Sequence, residues 1–264
     1  MQRLRIIGLA LVAVFATTAV VAASASAAEY VYKVPCHKVL TGNVAESQFE
    51  DAACAKAKAG GGFDTRLLAG ENKEIKSKAQ TSFVLRGELL GVKSVTTCTA
   101  LKLATTEPTP LIKGGIPGTS EEKVVFENCS GTLGGSACKL VTVENTPVNN
   151  EIVTVVLPAA KAGKLATLFT PKTGTVFTTI KLKECGIFGS TEGKVEGNSA
   201  ALGSVGKAKA QTLTWVEGAE EITKVKKFGA GGEATVGLKF GGKVSSLEGV
   251  AAVELVSGEE WEVA

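Results

Sequence analysis

The sequence predicts an all-β fold, mainly antiparallel, organised as a disulfide-stapled β-sandwich or barrel with little helix. Three observations carry that expectation. Beyond residue 73 the chain alternates apolar and polar residues in short runs, the period-two signature of half-buried strands. Six cysteines follow an apolar leader that predicts export. The composition holds 31 Gly and one Met with only 5% aromatic residues, which suits many strands and turns.

The leader comes first. MQRLRIIGLALVAVFATTAVVAASASAAEY has a positive start (Arg3, Arg5), an apolar stretch to about Val21, and small residues to Ala28. Ala25-Ser26-Ala27 fits the small-x-small cleavage pattern, so residues 1–27 are assigned as a signal peptide. The competing reading, an uncleaved anchor, is disfavoured because the run is short and small residues follow it. The C-terminal SGEEWEVA is acidic, and VYKVP before Cys36 lacks the small residues of a lipoprotein site. The expectation is a secreted, extracellular protein with no stable membrane anchor after cleavage. Removing Arg3 and Arg5 leaves 27 basic against 26 acidic residues, so the formal charge falls from +3 to +1. No long basic block remains, which excludes nucleic acid as an expected partner. The run from Lys224 to Lys227 is read as a solvated face.

Residues 28–72 form a disulfide-tied N-terminal segment in this reading, and 73–264 the antiparallel β domain. Ser47 and Glu50 stand at capping-box spacing before a Gly run, so a short helix is expected within 47–62. In TVFTTIKLK (175–183), Val176, Thr178, Ile180 and Leu182 share one face, and Thr175, Phe177, Thr179 and Lys181 the other. Runs at 80–87, 121–128, 151–158, 210–218, 233–240 and 250–256 behave similarly. Phe240-Gly241-Gly242-Lys243 reads as a tight hairpin, because Gly-Gly tolerates the positive φ of such turns. The segment 104–120, rich in Pro and Gly, reads mostly as loop or edge, and 161–169 is ambiguous.

The cysteines Cys36, Cys54, Cys98, Cys129, Cys138 and Cys185 are even in number in an exported chain, and so read as disulfides. Zinc spacing of the C-x₂₋₄-C type is absent, His37 is the one histidine, and no C-x-x-C redox pair occurs. Six cysteines allow fifteen connectivities. The favoured set is Cys36–Cys54, Cys98–Cys185 and Cys129–Cys138.

Catalytic templates fail in turn. A Ser-His-acid triad would have to use His37, which reads as a loop residue without a site role. Ser136 to Lys139 and Ser120 to Lys123 match S-x-x-K, and Lys172-Thr173-Gly174 matches K-T-G. That chemistry needs the serine and lysine one turn apart at a helix start, whereas both tetrads run into strands. Asp occurs only at Asp51 and Asp64, so no calcium loop is present. Glutamates are abundant, but no pair is isolated for glycoside cleavage. The Gly-rich AGGGF and FGAGGE lack a GK[ST] ending and read as turns. Trp215 and Trp261 could stack on a sugar, but read better as buried aromatics. No catalytic residue, cofactor or metal ligand is assigned.

TTCTALKL (96–103), VVFENC (124–129), SACKLVTVENTPVNNEIVTVVL (136–157), GTVFTTIKLKEC (174–185) and ATVGLKFGG (234–242) resemble a family of uncharacterised secreted proteins of high-GC Gram-positive, actinobacterial, bacteria. CHKVLTGNVAESQFEDAAC resembles a short disulfide module of the same group. The resemblance implies export and β structure and carries no assigned activity. The functional expectation is a non-catalytic interaction or structural module at the cell surface or outside the cell, with an extracellular protein or polysaccharide as partner. The alternatives are a hydrolase acting through Glu carboxylates and, if the sheet closes around an unfilled interior, a small-molecule carrier.

Overall fold

The computed structural model describes residues 32–38, 49–51, 56–67, 72–105, 108–113, 117–204, 206–228 and 231–263. The strands among them are, in chain order, β1 (Tyr32–Lys38), β2 (Phe63–Leu67), β3 (Asn72–Ala79), β4 (Phe83–Leu89) and β5 (Val92–Leu103). Then come β6 (Leu111–Lys113), β7 (Thr119–Glu122), β8 (Val124–Leu133), β9 (Ser136–Ala137) and β10 (Leu140–Asn145). The middle of the chain supplies β11 (Val148–Leu157), β12 (Leu165–Pro171), β13 (Val176–Lys183), β14 (Thr191–Gly203) and β15 (Ala210–Trp215). The last are β16 (Lys224–Lys227), β17 (Glu233–Thr235), β18 (Gly237–Phe240), β19 (Lys243–Leu255) and β20 (Glu262–Val263). Every ladder between them is antiparallel, so the all-β antiparallel class holds.

The ladders trace two rings, one closed by hydrogen bonds throughout and one open at a single seam, that share two long strands. Following hydrogen bonds from β3 leads through β6, β7, β11, β12, β14, β15 and β19 and back to β3, an eight-stranded barrel. A second path runs β10, β13, β14, β18, β19, β4, β5, β8. Its ends, β8 and β10, lie side by side without a ladder. This seam is stitched at one end by the Cys138 N–H donating to the Gly131 carbonyl (2.9 Å). At the other, Asn145 Nδ2 donates to the Val124 carbonyl (2.7 Å). Between them Asn128 adopts φ 54°.

Strands β14 and β19 belong to both rings. The first half of each lines the second barrel, and the second half lines the first. Each passes between barrels at a glycine, Gly197 (φ 112°) and Gly249 (φ 153°). A Cβ on Gly197 would stand 2.2 Å from the Gly237 carbonyl oxygen, and one on Gly249 2.5 Å from the Phe83 ring. Only glycine allows both the turn and the approach.

Alternation then places the cores. Ile75, Ile112, Ile152, Leu165, Val253 and Leu255 fill the first barrel. Leu85, Leu133, Phe177, Ile180, Leu182, Val195, Leu238 and Phe240 fill the second. A smaller apolar layer (Val153, Val155, Leu168, Ile222, Val225, Val236) forms where β16 and β17 cover the outside of the first barrel. Strand β1 joins β2 to β20, and carries Tyr32 into the first core.

Some expectations need correction. Cys98 faces Cys129 directly in the β5–β8 ladder and bonds to it. Cys138, past the turn at Gly134-Gly135, is in register with Gly131 rather than Cys129, and Lys139 N–H donates to the Lys183 carbonyl. That brings Cys138 to Cys185, its partner. The pairs Cys98–Cys185 and Cys129–Cys138 are therefore overturned by strand register. Cys36–Cys54 lies outside the described residues. Non-reducing peptide mapping is expected to recover Cys98–Cys129 and Cys138–Cys185 and neither of the displaced pairs.

The described part of 47–62 is not helical, because Phe49 bridges Ala57 and Phe63. Phe177 is buried together with Thr178, because a bulge between Val176 and Thr178 resets the alternation. His37 lies within β1, paired with Asp64, rather than in a loop. Leu111–Lys113 and the start of Thr119–Glu122, within the stretch read mostly as loop or edge, supply two wall strands, and the ambiguous 161–169 is strand from Leu165 onward, in Leu165–Pro171.

Candidate functional site

The most concentrated polar chemistry lies inside the first barrel. The EE pair of β7 occupies a strand, so its two side chains must take opposite faces. Glu121 faces the groove outside and Glu122 faces inward, and both are buried. Ser120 also faces inward, opposite Asn150 in β11, whose Nδ2 donates to Ser120 Oγ (3.0 Å). Tyr32 enters from β1 and lies where a Cβ on Gly118 would be, 2.6 Å from its ring. Its hydroxyl hydrogen-bonds with Thr167 and Ser120, and its ring is 5.6 Å from that of Trp261. Gln211 completes the wall, its Nε2 donating to the carbonyls of Trp261 (2.7 Å) and Gly206 (2.9 Å).

Burial dominates the electrostatics. It pushes the Glu122 carboxyl up to about 7, against a hydrogen bond with Asn150 that favours the charged form. Burial, then the charge of Glu122, raises the Tyr32 phenol above its ordinary range. Asn150 Oδ1 and Trp261 Nε1 have no protein partner. The cavity between them is about 40 Å³, space for about three waters at about 10–15 Å³ each. Water there would satisfy the amide oxygen and the indole N–H, and a larger guest would not fit. The second barrel retains about 30 Å³, lined mainly by apolar side chains including Phe83, Phe126, Phe177 and Leu238.

Two open grooves lie outside. One, about 410 Å³, crosses β7 and β11, where Glu121 pairs with Lys172 and Glu151 with Lys227. The other, about 510 Å³, runs along the second barrel past Arg86, Lys93, Glu221 and Val244. Arg86 Nε holds Glu217 (2.9 Å) and its Nη2 holds Glu248 (3.2 Å). Partial burial, then the Glu217 charge, raises the Glu221 carboxyl.

The motifs weighed in the sequence do not converge. Ser136 is in β9 and Ser120 in β7, so neither starts a helix, and Lys172 is engaged with Glu121. Trp261 is buried, and Trp215 packs against Phe83 and Phe169 at ring separations of 5.5 and 5.2 Å. Among the described residues no group of three His, Cys, Asp or Glu side chains could hold a metal ion, and no helix is long and apolar enough to cross a membrane. Sequence reasoning missed Tyr32, Glu122 and Asn150. The available signals were the EE pair in a strand and the polar NN step in β11. No family model, curated protein or solved structure matches the chain.

Proposed function

We propose that the protein is an exported, non-catalytic module that engages an extracellular partner through its outer surface. The observation supporting this is that both barrels are filled. Cavities of about 30 and 40 Å³ fall far below the roughly 300–1,000 Å³ of small-molecule sites, which also disfavours the carrier reading. Cross-strand disulfides suit an oxidising compartment, and the Cys138–Cys185 bridge ties together two connections of the second barrel. The test combines binding of the mature chain to isolated cell-envelope fractions with a hydrolysis screen on extracellular polymers. Saturable binding without turnover is expected. Turnover that disappears on Glu221→Gln would overturn the reading.

That last outcome belongs to the hydrolase alternative, which one observation favours: Glu221, raised by burial, sits beside Glu217 in an open groove. Against it, Glu217 is already held by Arg86 and accepts from the Ser246 hydroxyl (3.2 Å), so the second carboxylate is not free to activate water.

A further inference from the structure

In the second ring neighbouring strands alternate in direction, so β13, β4, β18 and β8 all run toward the same rim. The turns that follow them, at 184–190, 90–91, 241–242 and 134–135, therefore crown one end of the molecule, the end remote from the first barrel. Contacts confirm the crown. A Cβ on Gly134 would meet the Phe188 ring at 2.5 Å, and one on Gly241 would meet the Glu88 carbonyl oxygen at 3.0 Å. Gly134 N–H donates to the Lys93 carbonyl, and Gly241 N–H to that of Lys194.

Of the six large hydrophobic side chains exposed among the described residues, four sit at or just below this rim: Ile187 (93%), Val244 (82%), Leu90 (67%) and Leu140 (51%). Their exposure is built in. Cys185 is buried in its bridge to Cys138 and Phe188 packs on Gly134, which leaves Ile187 between them facing solvent. Leu90 occupies the first position of a two-residue hairpin turn at φ 55°, where Asn or Gly would be less strained. A leucine held in strain and in water has no internal packing role there, and such an outlier points to function.

Charge supplies the partner. The lysines Lys93, Lys139, Lys183, Lys194, Lys239 and Lys243 are exposed around the crown, against the glutamates Glu88, Glu184 and Glu192. This excess of three positive charges contrasts with +1 for the whole chain without its leader. Aliphatic tips ringed by lysine match the boundary of an anionic bilayer, where methyl groups enter the acyl edge and ammonium groups meet lipid phosphates. We infer that the crown, with Leu90 and Ile187 as its apolar anchors, docks the protein reversibly on an anionic phospholipid surface.

This inference rests on the reading of the protein as an extracellular binding module and names its surface and partner. The experiment is cosedimentation of the mature chain with vesicles of phosphatidylcholine alone or mixed with phosphatidylglycerol. Binding is expected only to the anionic vesicles, weakening roughly fivefold for each crown lysine changed to Gln. Leu90→Asn and Ile187→Ser should each cost about tenfold. Asn accepts the left-handed turn and Ile187 is exposed, so both variants should keep the wild-type thermal unfolding profile. Equal binding to both vesicle types, undiminished binding by the double variant, or self-association that the same substitutions abolish would each overturn the inference. Failure with vesicles alongside crown-independent binding to envelope polysaccharide or protein would sink the inference while sparing the module reading. Polymer hydrolysis without any binding would sink both.

Discussion

Gly197→Ala is expected to lower the unfolding free energy by about 3–5 kcal/mol, and Gly249→Ala to act in the same direction. At Gly197 the backbone lies at φ 112°, where an L-residue is strained by roughly 1–3 kcal/mol. The added methyl would also stand 2.2 Å from the Gly237 carbonyl oxygen. That obstacle is backbone, in the β14–β18 ladder, and cannot rotate aside as a side-chain tip could. At Gly249 the methyl meets the Phe83 ring, which is 2% exposed and packed with Phe126 and Trp215. Gly203→Ala is the control, since it lies in the same strand with open space around it and should shift stability little. Denaturant unfolding of the three variants checks this. If Gly197→Ala matched Gly203→Ala, the passage of β14 between the two barrels would not depend on a bend at Gly197.

The same two glycines explain what the sequence conceals. Strand identity was legible, because residues such as Ile180, Leu182, Val253 and Leu255 recur on one face with period two, a property local to each run. Which strands pair, and that β14 and β19 each serve two sheets, depends on contacts between distant segments, such as Val195 with Phe240 or Leu247 with Leu85. Period two carries no record of those partners. The two displaced disulfide pairs, Cys98–Cys185 and Cys129–Cys138, failed for the same cause. Cys129 and Cys138 are near in sequence, but the register of their hairpin directs Cys129 across to Cys98. The polar cluster was half legible. Adjacent glutamates in a strand imply that one faces inward, but nothing local says that β1 will cross over to set Tyr32 beside Glu122.

That buried carboxyl makes the second large prediction: destabilisation of the wild type as pH rises from acid to neutrality, relieved by Glu122→Gln. Glu122 has an ordinary value of 4.5 and is pushed up to about 7 when folded. Below pH 4.5 both folded and unfolded chains carry the proton, and the group contributes no difference. Between those values the unfolded chain releases its proton while the folded chain retains it. Stability from this group therefore falls as pH rises, the reverse of a salt-bridged carboxylate, and the loss is complete once pH passes the folded value. Its full extent is about 3 kcal/mol. Tyr32, the other titratable side chain lining the cavity, is held neutral through this range by burial and by the Glu122 charge. Gln fits the same volume, keeps an acceptor for the Asn150 amide, and can donate to the unpartnered Asn150 Oδ1. The variant should match the wild type in acid and exceed it by about 3 kcal/mol above neutrality, as read from urea midpoints across the range. Parallel pH profiles for the two proteins would mean that Glu122 is solvated by more water than the cavity admits, and that the first barrel is less tightly closed around Tyr32.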